Sequence, residues 1–308
     1  MRHLLAFLLI CLPVLAKTPV ILDTDLGDDI DDTWALGYLL GSPKLDCKLI
    51  VTASDDTPTK TRLTAKILEA MGRTDIPLGT GVKTSENKIH QADWLGDYDL
   101  KSYKGTLHED GVNRMIEVIR ASKTPITLIV IGPQTNIAEA LRRAPDIAQK
   151  ARVVSMAGSV YIGYQGKQGA DPEWNVFKDV ASARAVFAAP WEITIAPLDI
   201  CGTLTFSGAP YKEIAASANP YAKTIIANYD AWANRKHYAP DASSVLFDTA
   251  AVYLALSEKW AEVKTLKLSI DDKGATVVDE AKGRPIRCGL GWKDRARFEA
   301  ALLKAITR

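Results

Sequence analysis

Residues 19–32 read PVILDTDLGDDIDD, a short apolar run followed at once by six carboxylates within ten residues. An apolar run of this length that stops at polar residues is typical of a strand buried on both faces of a parallel sheet. Ligands of such sheets bind beyond the carboxyl ends of the strands. The stretch therefore predicts a buried first strand with a charged site at its end.

The alternation of strand-like and helical segments continues along the chain. Further strand patterns lie at 49–51, 76–78, 126–131, 153–156 and 193–195, helical patterns at about 33–40, 61–71, 214–233 and around Asp248, a long polar loop at 80–107 and a hairpin at 266–278. No linker, charge block or repeat interrupts this order. Residues 17–308 are therefore expected to form one α/β domain, with an open, mostly parallel, Rossmann-like sheet and helices on both faces.

The first sixteen residues have the pattern of a secretory signal peptide. A basic start at Arg2 precedes an apolar run over residues 4–15 and a small residue, Ala16, at the expected cleavage point. The run is shorter than the roughly 20 apolar residues that span a bilayer. Residues 1–16 are therefore predicted to be removed on export to the periplasm or the medium.

Composition excludes several classes of protein. The 308 residues are 47% hydrophobic and 24% charged, with a net charge of +1, which is ordinary for a globular domain. Such a balance provides no global field to attract nucleic acid or anionic lipid. Loss of Cys11 with the signal peptide leaves Cys47, Cys201 and Cys288, which cannot form a closed disulfide framework and are expected to be buried.

The acidic cluster at residues 23–32 favours a hard divalent cation. Crowded carboxylates repel one another unless a positive charge neutralises them, and Ca²⁺ and Mg²⁺ prefer oxygen ligands. A solvated acidic turn at a helix N-terminus is the simpler alternative. An EF-hand loop beginning at Asp23 fails, because its twelfth position is Trp34. A phosphohydrolase of the haloacid-dehalogenase type, with Asp23 as nucleophile and Asp25 as acid/base, and a metal-dependent nucleoside glycosidase both stay open.

Several motifs in a fixed order favour the nucleoside glycosidase. They are Asp23-Thr24-Asp25-Leu26-Gly27 with Asp31-Asp32, Ile131-Gly132-Pro133-Gln134-Thr135-Asn136-Ile137-Ala138, Pro172-Glu173-Trp174-Asn175 with Asp179, Pro197-Leu198-Asp199, and Phe247-Asp248 with Ala250-Ala251. With these motifs, the chain resembles the inosine-uridine preferring nucleoside hydrolase family over nearly its whole length after residue 16. The resemblance implies a nucleoside-hydrolase-like fold and hydrolysis of an N-ribosidic bond.

The resemblance also implies a set of site residues. One Ca²⁺ would be held by Asp25, Asp32, Asp248 and the carbonyl of Ile131, and ribose hydroxyls by Asp31, Glu173 and Asn175, with Asp55 where the family more often has Asn. Asp25 would act as general base toward the metal-bound water that attacks C1′. Simpler roles exist for the same residues: Glu173, Asp248 and Asp55 as helix caps and Asn175 as a turn residue.

The first motif is longer than the usual family form by two residues. Strict spacing from Gly27 selects Asp29 and Ile30 for the aspartate pair, and isoleucine has no ligand atom in its side chain. The Thr-Trp-Ala-Leu register that follows selects Asp31 and Asp32 instead. The second alignment is preferred, with Asp29 retained as a further substrate-binding candidate.

The leaving-group side departs further from the family. Phe247 stands where well-known members have a histidine that protonates the base. His90 and His237, both in loops, are the candidates to replace it, and stacking of the base on Trp94, Trp174 or Trp232 is another route. The loop at 158–164 lacks the usual Asn, which Tyr161 or Tyr164 would replace.

The expected protein is an exported, calcium-dependent N-ribohydrolase. Its expected partners are a small nucleoside-like substrate and further copies of the chain in a dimer or tetramer, without nucleic acid and without a membrane once the signal peptide is cleaved. Two alternatives stay open: the phosphohydrolase that uses Asp23, and a non-catalytic, calcium-dependent ribose- or nucleoside-binding protein, which the missing proton donor at Phe247 motivates.

Overall fold

The computed structural model describes residues 17–308, so the predicted signal peptide and Cys11 lie outside the described part. A mixed sheet contains the strands β1 (Thr18–Thr24), β2 (Leu45–Thr52), β3 (Leu78–Thr80), β4 (Leu107–His108), β5 (Ile126–Val130), β6 (Ala151–Ser155), β7 (Ile193–Ile195), β8 (Ala261–Ile270), β9 (Thr276–Val278) and β10 (Arg284–Trp292). Their order across the sheet is β4-β3-β2-β1-β5-β6-β7-β10-β8-β9.

Pairing is parallel from β4 to β10 and antiparallel only at the end formed by β8 and β9. The predicted open, mostly parallel sheet is therefore confirmed. Connections between parallel strands require a crossover, which the chain makes with helices. The helices are α1 (Asp31–Gly41), α2 (Thr57–Ala70), α3 (Ala92–Leu95), α4 (Gly111–Ala121), α5 (Thr135–Arg143), α6 (Trp174–Phe177), α7 (Val180–Ala188), α8 (Leu198–Cys201), α9 (Ala209–Ala216), α10 (Pro220–Asp230), α11 (Thr249–Leu256) and α12 (Arg295–Thr307).

The core lies on both faces of the sheet. Successive strand residues point to opposite faces, so Leu22 belongs to one apolar cluster and Ile21 to the other. The first cluster contains side chains of α1, α2 and α9 to α12, and the second those of α4, α5 and α7. Among residues 17–308, no helix is both long and apolar enough to cross a membrane, and no two cysteines are bonded.

The structure adds to the sequence-based expectations in several places. The long polar loop contains α3 and a short 3₁₀ turn, the helices expected over 214–233 are separated at Pro220 into α9 and α10, and α4, α7, β10 and α12 were not expected. Pro220 explains the split, because it begins α10 at a position where proline is tolerated and cannot continue α9. β10 was missed because glycines at 289 and 291 and the two charged residues Arg284 and Arg287 weaken its apolar pattern.

Candidate functional site

The carboxyl ends of β1, β2, β5 and β6 open into one cavity of about 560 Å³. Most of its lining residues carry charge or a hydrogen-bonding group. They are Asp25, Asp28, Asp29, Asp31, Asp32, Asp55, Asn87, Lys88, His90, Ile131, Met156, Tyr164, Glu173, Trp174, Asn175, Lys178, Asn234, Phe247 and Asp248. The site thus lies where parallel sheets bind their ligands.

Three carboxylates meet on the cavity wall. Asp31, Asp32 and Asp248 each offer an oxygen atom, and these atoms all lie within 4.8 Å of one another. Asp31 and Asp32 begin α1, and Asp248 directly precedes α11. Unlike a capping residue, Asp248 makes no side-chain hydrogen bond to its own helix, so its carboxylate is free to bind elsewhere. Its backbone N–H donates to Asp31 Oδ2 at 3.1 Å, which joins the two helix starts.

Asp25, which directly follows β1, is not a member of this group, so the carboxylates that meet include Asp31 and not the predicted ligand Asp25. It is 6% exposed and lines the same cavity, and a Cβ on Gly132 would come within 3.0 Å of its carboxylate. Burial raises the pKa of Asp25 to about 7, while the Lys60 ammonium acts in the opposite direction. The charge of Asp25 in turn helps to raise the pKa of Asp32 and of Asp248. All four carboxylates therefore share one electrostatic environment.

The donor set fits a hard divalent cation. Burial, followed by mutual repulsion, holds the pKa of Asp31, Asp32 and Asp248 well above the usual range. Buried carboxylates at this density are stable as anions only beside a positive charge, and oxygen ligands are those that Ca²⁺ and Mg²⁺ prefer. Ile131, whose carbonyl is the predicted backbone ligand, also lines the cavity, and this carbonyl accepts a hydrogen bond from Asn175 Nδ2 at 3.2 Å.

The two residues of the Glu-x-Asn motif have different surroundings. Glu173 is buried and caps α6, accepting N–H groups of Asn175 at 2.8 Å and of Val176, and it also accepts Gly158 N–H at 2.8 Å. The capping role considered for Glu173 is therefore real, and it coexists with a place on the cavity wall. Asn175 lies inside α6 rather than in a turn, and its amide donates to the carbonyls of Ile131 and Met156.

Asp55 is tied into a network of its own. Its Oδ1 accepts Ser85 Oγ at 2.6 Å and Asn87 Nδ2 at 2.9 Å, and Lys178 Nζ lies 3.2 Å away. Its backbone has φ of 51°, a left-handed conformation that costs a non-glycine residue energy and persists where neighbours hold it. The structure places Asp56, not Asp55, at the N-cap of α2. The cap role considered for Asp55 was therefore wrong, because the strained turn moves Asp55 toward the cavity.

Three aromatic side chains, those of Tyr164, Trp174 and Phe247, also line the cavity. Phe247 and Tyr164 meet edge to face with their ring centroids 6.2 Å apart, and Trp174 is 47% exposed. The Tyr164 hydroxyl accepts the backbone N–H of Trp174 at 2.9 Å, which leaves its own proton free to donate. Tyr161, the other candidate, is half exposed and does not line the cavity, because its backbone is held by Asp199 with the ring toward solvent.

Of the other leaving-group candidates, His90 lines the cavity whereas His237 and Trp94 do not. His237 lies in an exposed 3₁₀ turn, and the Trp94 ring packs against the Lys66 ammonium, 4.5 Å from its centroid. Trp232 is buried and donates its indole N–H to the carbonyl of Asp28 at 3.0 Å. It therefore supports the cavity from behind and does not offer a face to a base.

Asp23 contradicts the phosphohydrolase alternative. Its side chain is fully buried behind the cavity, where Oδ2 accepts Asn136 Nδ2 at 2.8 Å. Burial raises its pKa to about 7. A carboxyl group in this position cannot reach a substrate in the cavity as a nucleophile.

Three lysines at the site were not among the candidates: Lys88, which lines the cavity, and two that pair with its carboxylates. Lys60 is fully buried in α2, and its Nζ lies 2.7 Å from Asp28 Oδ2 in the longer acidic motif. Lys178, three residues after Asn175, pairs with Asp55 and lies 5.0 Å from the centroid of the Trp174 ring. The sequence signal for Lys60 was its place among Thr57, Thr61 and Thr64 on one helix face, which is the buried face.

Glu173→Gln is expected to flatten the pH dependence of stability in the presence of a chelator. Burial raises the pKa of Glu173 to about 7 from the ordinary 4.5, so the folded state binds the extra proton between these values. The contribution of protonated Glu173 to the free energy of unfolding is complete below pH 4.5. It is lost as the pH rises to 7, which lowers the free energy of unfolding by at most about 3 kcal/mol. Urea unfolding of both proteins at pH 5 and pH 8 measures this; equal losses in the two proteins would contradict it.

Comparison with known proteins agrees with the geometry. The family described as inosine-uridine preferring nucleoside hydrolase matches residues 20–303. The pyrimidine-specific ribonucleoside hydrolase RihA of Salmonella arizonae is 30% identical over 284 residues, which are 85% of this chain and 88% of that protein. RihA of Enterobacter sp. (strain 638) is 33% identical over 67% of this chain and 68% of its own length.

Solved structures show the same fold. A plant nucleoside hydrolase superposes with a TM-score of 0.79 at 24% identity, covering 94% of this chain and 99% of its own. A purine-preferring ribonucleoside hydrolase from Gardnerella vaginalis gives 0.78 at 22% identity, covering 94% and 98%. Family match, relatives and fold agree along nearly the whole described chain. The protein therefore belongs to the inosine-uridine preferring nucleoside hydrolase family and is an N-ribohydrolase.

Proposed function

We propose that the protein is a calcium-dependent hydrolase of ribonucleosides that releases the free base and ribose. The observation that carries this proposal is the meeting of Asp31, Asp32 and Asp248 within 4.8 Å on the wall of a buried, acid-lined cavity. The relatives named above include a pyrimidine-specific and a purine-preferring ribonucleoside hydrolase. We therefore propose ribonucleosides as the substrate class without assigning a base.

Asp25, Asp32, Asp248 and the carbonyl of Ile131 are the groups that would hold the cation. When bound, calcium would supply a site for the sugar diol and a water molecule with a lowered pKa. The same ion would compensate the mutual repulsion of these buried carboxylates.

Side chains of the cavity would carry out the proton transfer and hold the sugar. Asp25 accepts the proton of the attacking water as the water oxygen bonds to C1′ and the C1′–N bond breaks, its electron pair leaving with the base. Asp31 and Asn175 hydrogen-bond the ribose hydroxyls and fix the sugar against the reacting atoms. Tyr164, with its proton free, donates at the 5′ side, where the family more often has Asn.

The departing base needs a proton or an equivalent stabilisation. Phe247, Tyr164 and Trp174 provide an apolar wall on which a base stacks. His90 lines the cavity and would be the proton donor.

The apolar run at residues 4–15 supports export of this enzyme to the periplasm or the medium.

A nucleoside panel, incubated with and without a chelator, tests the proposal. Free base with ribose, formed only when calcium is present, supports it. Calcium-dependent binding without turnover would support a binding protein instead, and release of phosphate from phosphoesters would support a phosphohydrolase.

Phe247→His is expected to raise kcat on inosine by at least about tenfold, since a placed general acid contributes roughly 10²–10⁴-fold. Phe247→Gln provides the matched control, because it adds a polar group of similar size that does not titrate near neutral pH. Steady-state kinetics on inosine and uridine measure the effect. If both variants behave alike, the base leaves by a route that position 247 does not influence.

A further inference from the structure

Three successive carbonyl groups of the longer acidic motif are used by distant parts of the chain. We call residues 27–30 the acidic turn. The carbonyl of Gly27 accepts the backbone N–H groups of His90 at 2.8 Å and Gln91 at 3.2 Å. The carbonyl of Asp28 accepts the indole N–H of Trp232 at 3.0 Å, and that of Asp29 accepts Gln91 Nε2 at 2.7 Å.

These bonds reach the two segments that wall the cavity. The first wall is residues 87–91, of which Asn87, Lys88 and His90 line the cavity, and the second wall is residues 232–234, of which Asn234 lines it. The walls also bond to each other, since Ala233 N–H donates to the carbonyl of His90 at 3.0 Å. The acidic turn therefore connects two largely exposed segments of the cavity wall.

The acidic turn is itself anchored from the protein interior. Lys60, fully buried, holds Asp28 through its Nζ at 2.7 Å from Oδ2 and also donates to the carbonyl of Ala53 at 3.3 Å. Gly27 has φ of 129°, and a Cβ there would lie 3.2 Å from the Lys60 side chain, so the turn fits against the lysine only with glycine. The acidic turn, which makes the motif longer, is thus held in place by the protein interior.

We propose that Trp232 and Gln91 are positioning residues of this hydrolase. Each donates from its side chain to a carbonyl of the acidic turn, and each holds one wall where His90 or Asn234 faces the cavity before the substrate binds. Neither indole nor amide touches the reacting atoms. Holding a binding surface in advance improves substrate binding because less ordering is left to the binding step. The kinetic part of this inference rests on the proposed function, whereas the structural part does not.

Trp232→Phe tests the proposal, because it keeps an aromatic ring beside Tyr229 and Tyr238 and removes the indole N–H. Loss of one such bond should speed amide exchange at His90, Gln91 and Ala233 by about five- to tenfold through local opening. KM for the nucleoside that the wild type hydrolyses should rise by a similar factor, with kcat within about twofold.

Trp292→Phe is the matched control. Its indole N–H donates to the carbonyl of Ile200 at 2.9 Å, away from the cavity. Trp292→Phe should lose about as much thermal stability as Trp232→Phe. It should leave KM and the exchange rates of the His90, Gln91 and Ala233 amides unchanged. Equal exchange at the three amides in wild type and Trp232→Phe, or equal acceleration in Trp292→Phe, would overturn the proposal.

Gln91→Met is the second variant, to be used in the same way if Trp232→Phe does not fold. It keeps the side-chain volume and removes the donor to Asp29. Because amide exchange is measured without substrate, it tests the support of the walls even if the wild type hydrolyses no nucleoside in the panel. Unchanged exchange in this variant would likewise overturn the proposal.

Discussion

Asp25→Asn should lower kcat by about 10²–10⁴-fold, the usual contribution of a general base. The substitution keeps the size of the side chain against Gly132 and removes its ability to accept a proton from water. Burial of a neutral amide here is also less costly than burial of a carboxylate, so the folded protein should survive. Single-turnover hydrolysis at saturating calcium measures the chemical step directly.

Asp23→Asn is the control that separates this mechanism from the phosphohydrolase alternative. Asp23 lies two residues before Asp25 in the chain. Its side chain is buried behind the cavity, where it accepts a hydrogen bond from Asn136. A nucleophile at Asp23 would make this variant inactive, whereas a structural role should cost less than about tenfold in kcat. Wild-type turnover by Asp25→Asn would remove the general base from the mechanism.

Asp248→Asn should weaken calcium binding by about 100-fold or more, because a charged ligand of a hard cation is replaced by a neutral one. In the wild type, calcium at about 100 times its Kd should stabilise the fold by roughly 2.7 kcal/mol, since only the folded chain assembles the site. The variant should show this stabilisation only at correspondingly higher calcium. Thermal unfolding across a calcium titration, with calorimetry of binding, gives both quantities.

Asp179→Asn is the matched control for Asp248→Asn. Asp179 also precedes a helix, but its carboxylate caps that helix by accepting Ser182 N–H at 3.1 Å and lies outside the cavity. Its replacement should leave the calcium titration unchanged. If Asp248→Asn also titrates like the wild type, Asp248 is not a ligand of the cation.

The sequence was sufficient for the fold and for the position of the site. Short apolar runs such as 19–22 and 126–131 predicted strands that the structure confirms as β1 and β5, side by side in a parallel sheet. Burial on both faces forces a continuous apolar pattern, which is a local property that can be read from neighbouring residues. The carboxylates after β1 then had to emerge at the sheet edge where ligands bind.

The sequence was less informative where the pattern is weak or the partner is distant. β10 was missed, and the loop candidates Tyr161, Trp94 and His237 do not line the cavity. Tyr161 and Tyr164 are three residues apart in one glycine-rich loop, so composition alone treats them alike. Their backbone hydrogen bonds, to Asp199 and Asp171, set which ring faces the cavity.

The amino-acid sequence by itself determined the mostly parallel character of the sheet, its acidic edge and the family, because these depend on local burial patterns and on motif order. Only the tertiary structure decided that Asp31 joins Asp32 and Asp248, that Lys60 holds Asp28, and that Trp232 supports the acidic turn. Asp31 and Asp248 are 217 residues apart, and Trp232 and Asp28 are 204 apart. Their contacts arise from helix packing across the sheet edge, where the direction of each side chain depends on neighbours that its own segment does not specify.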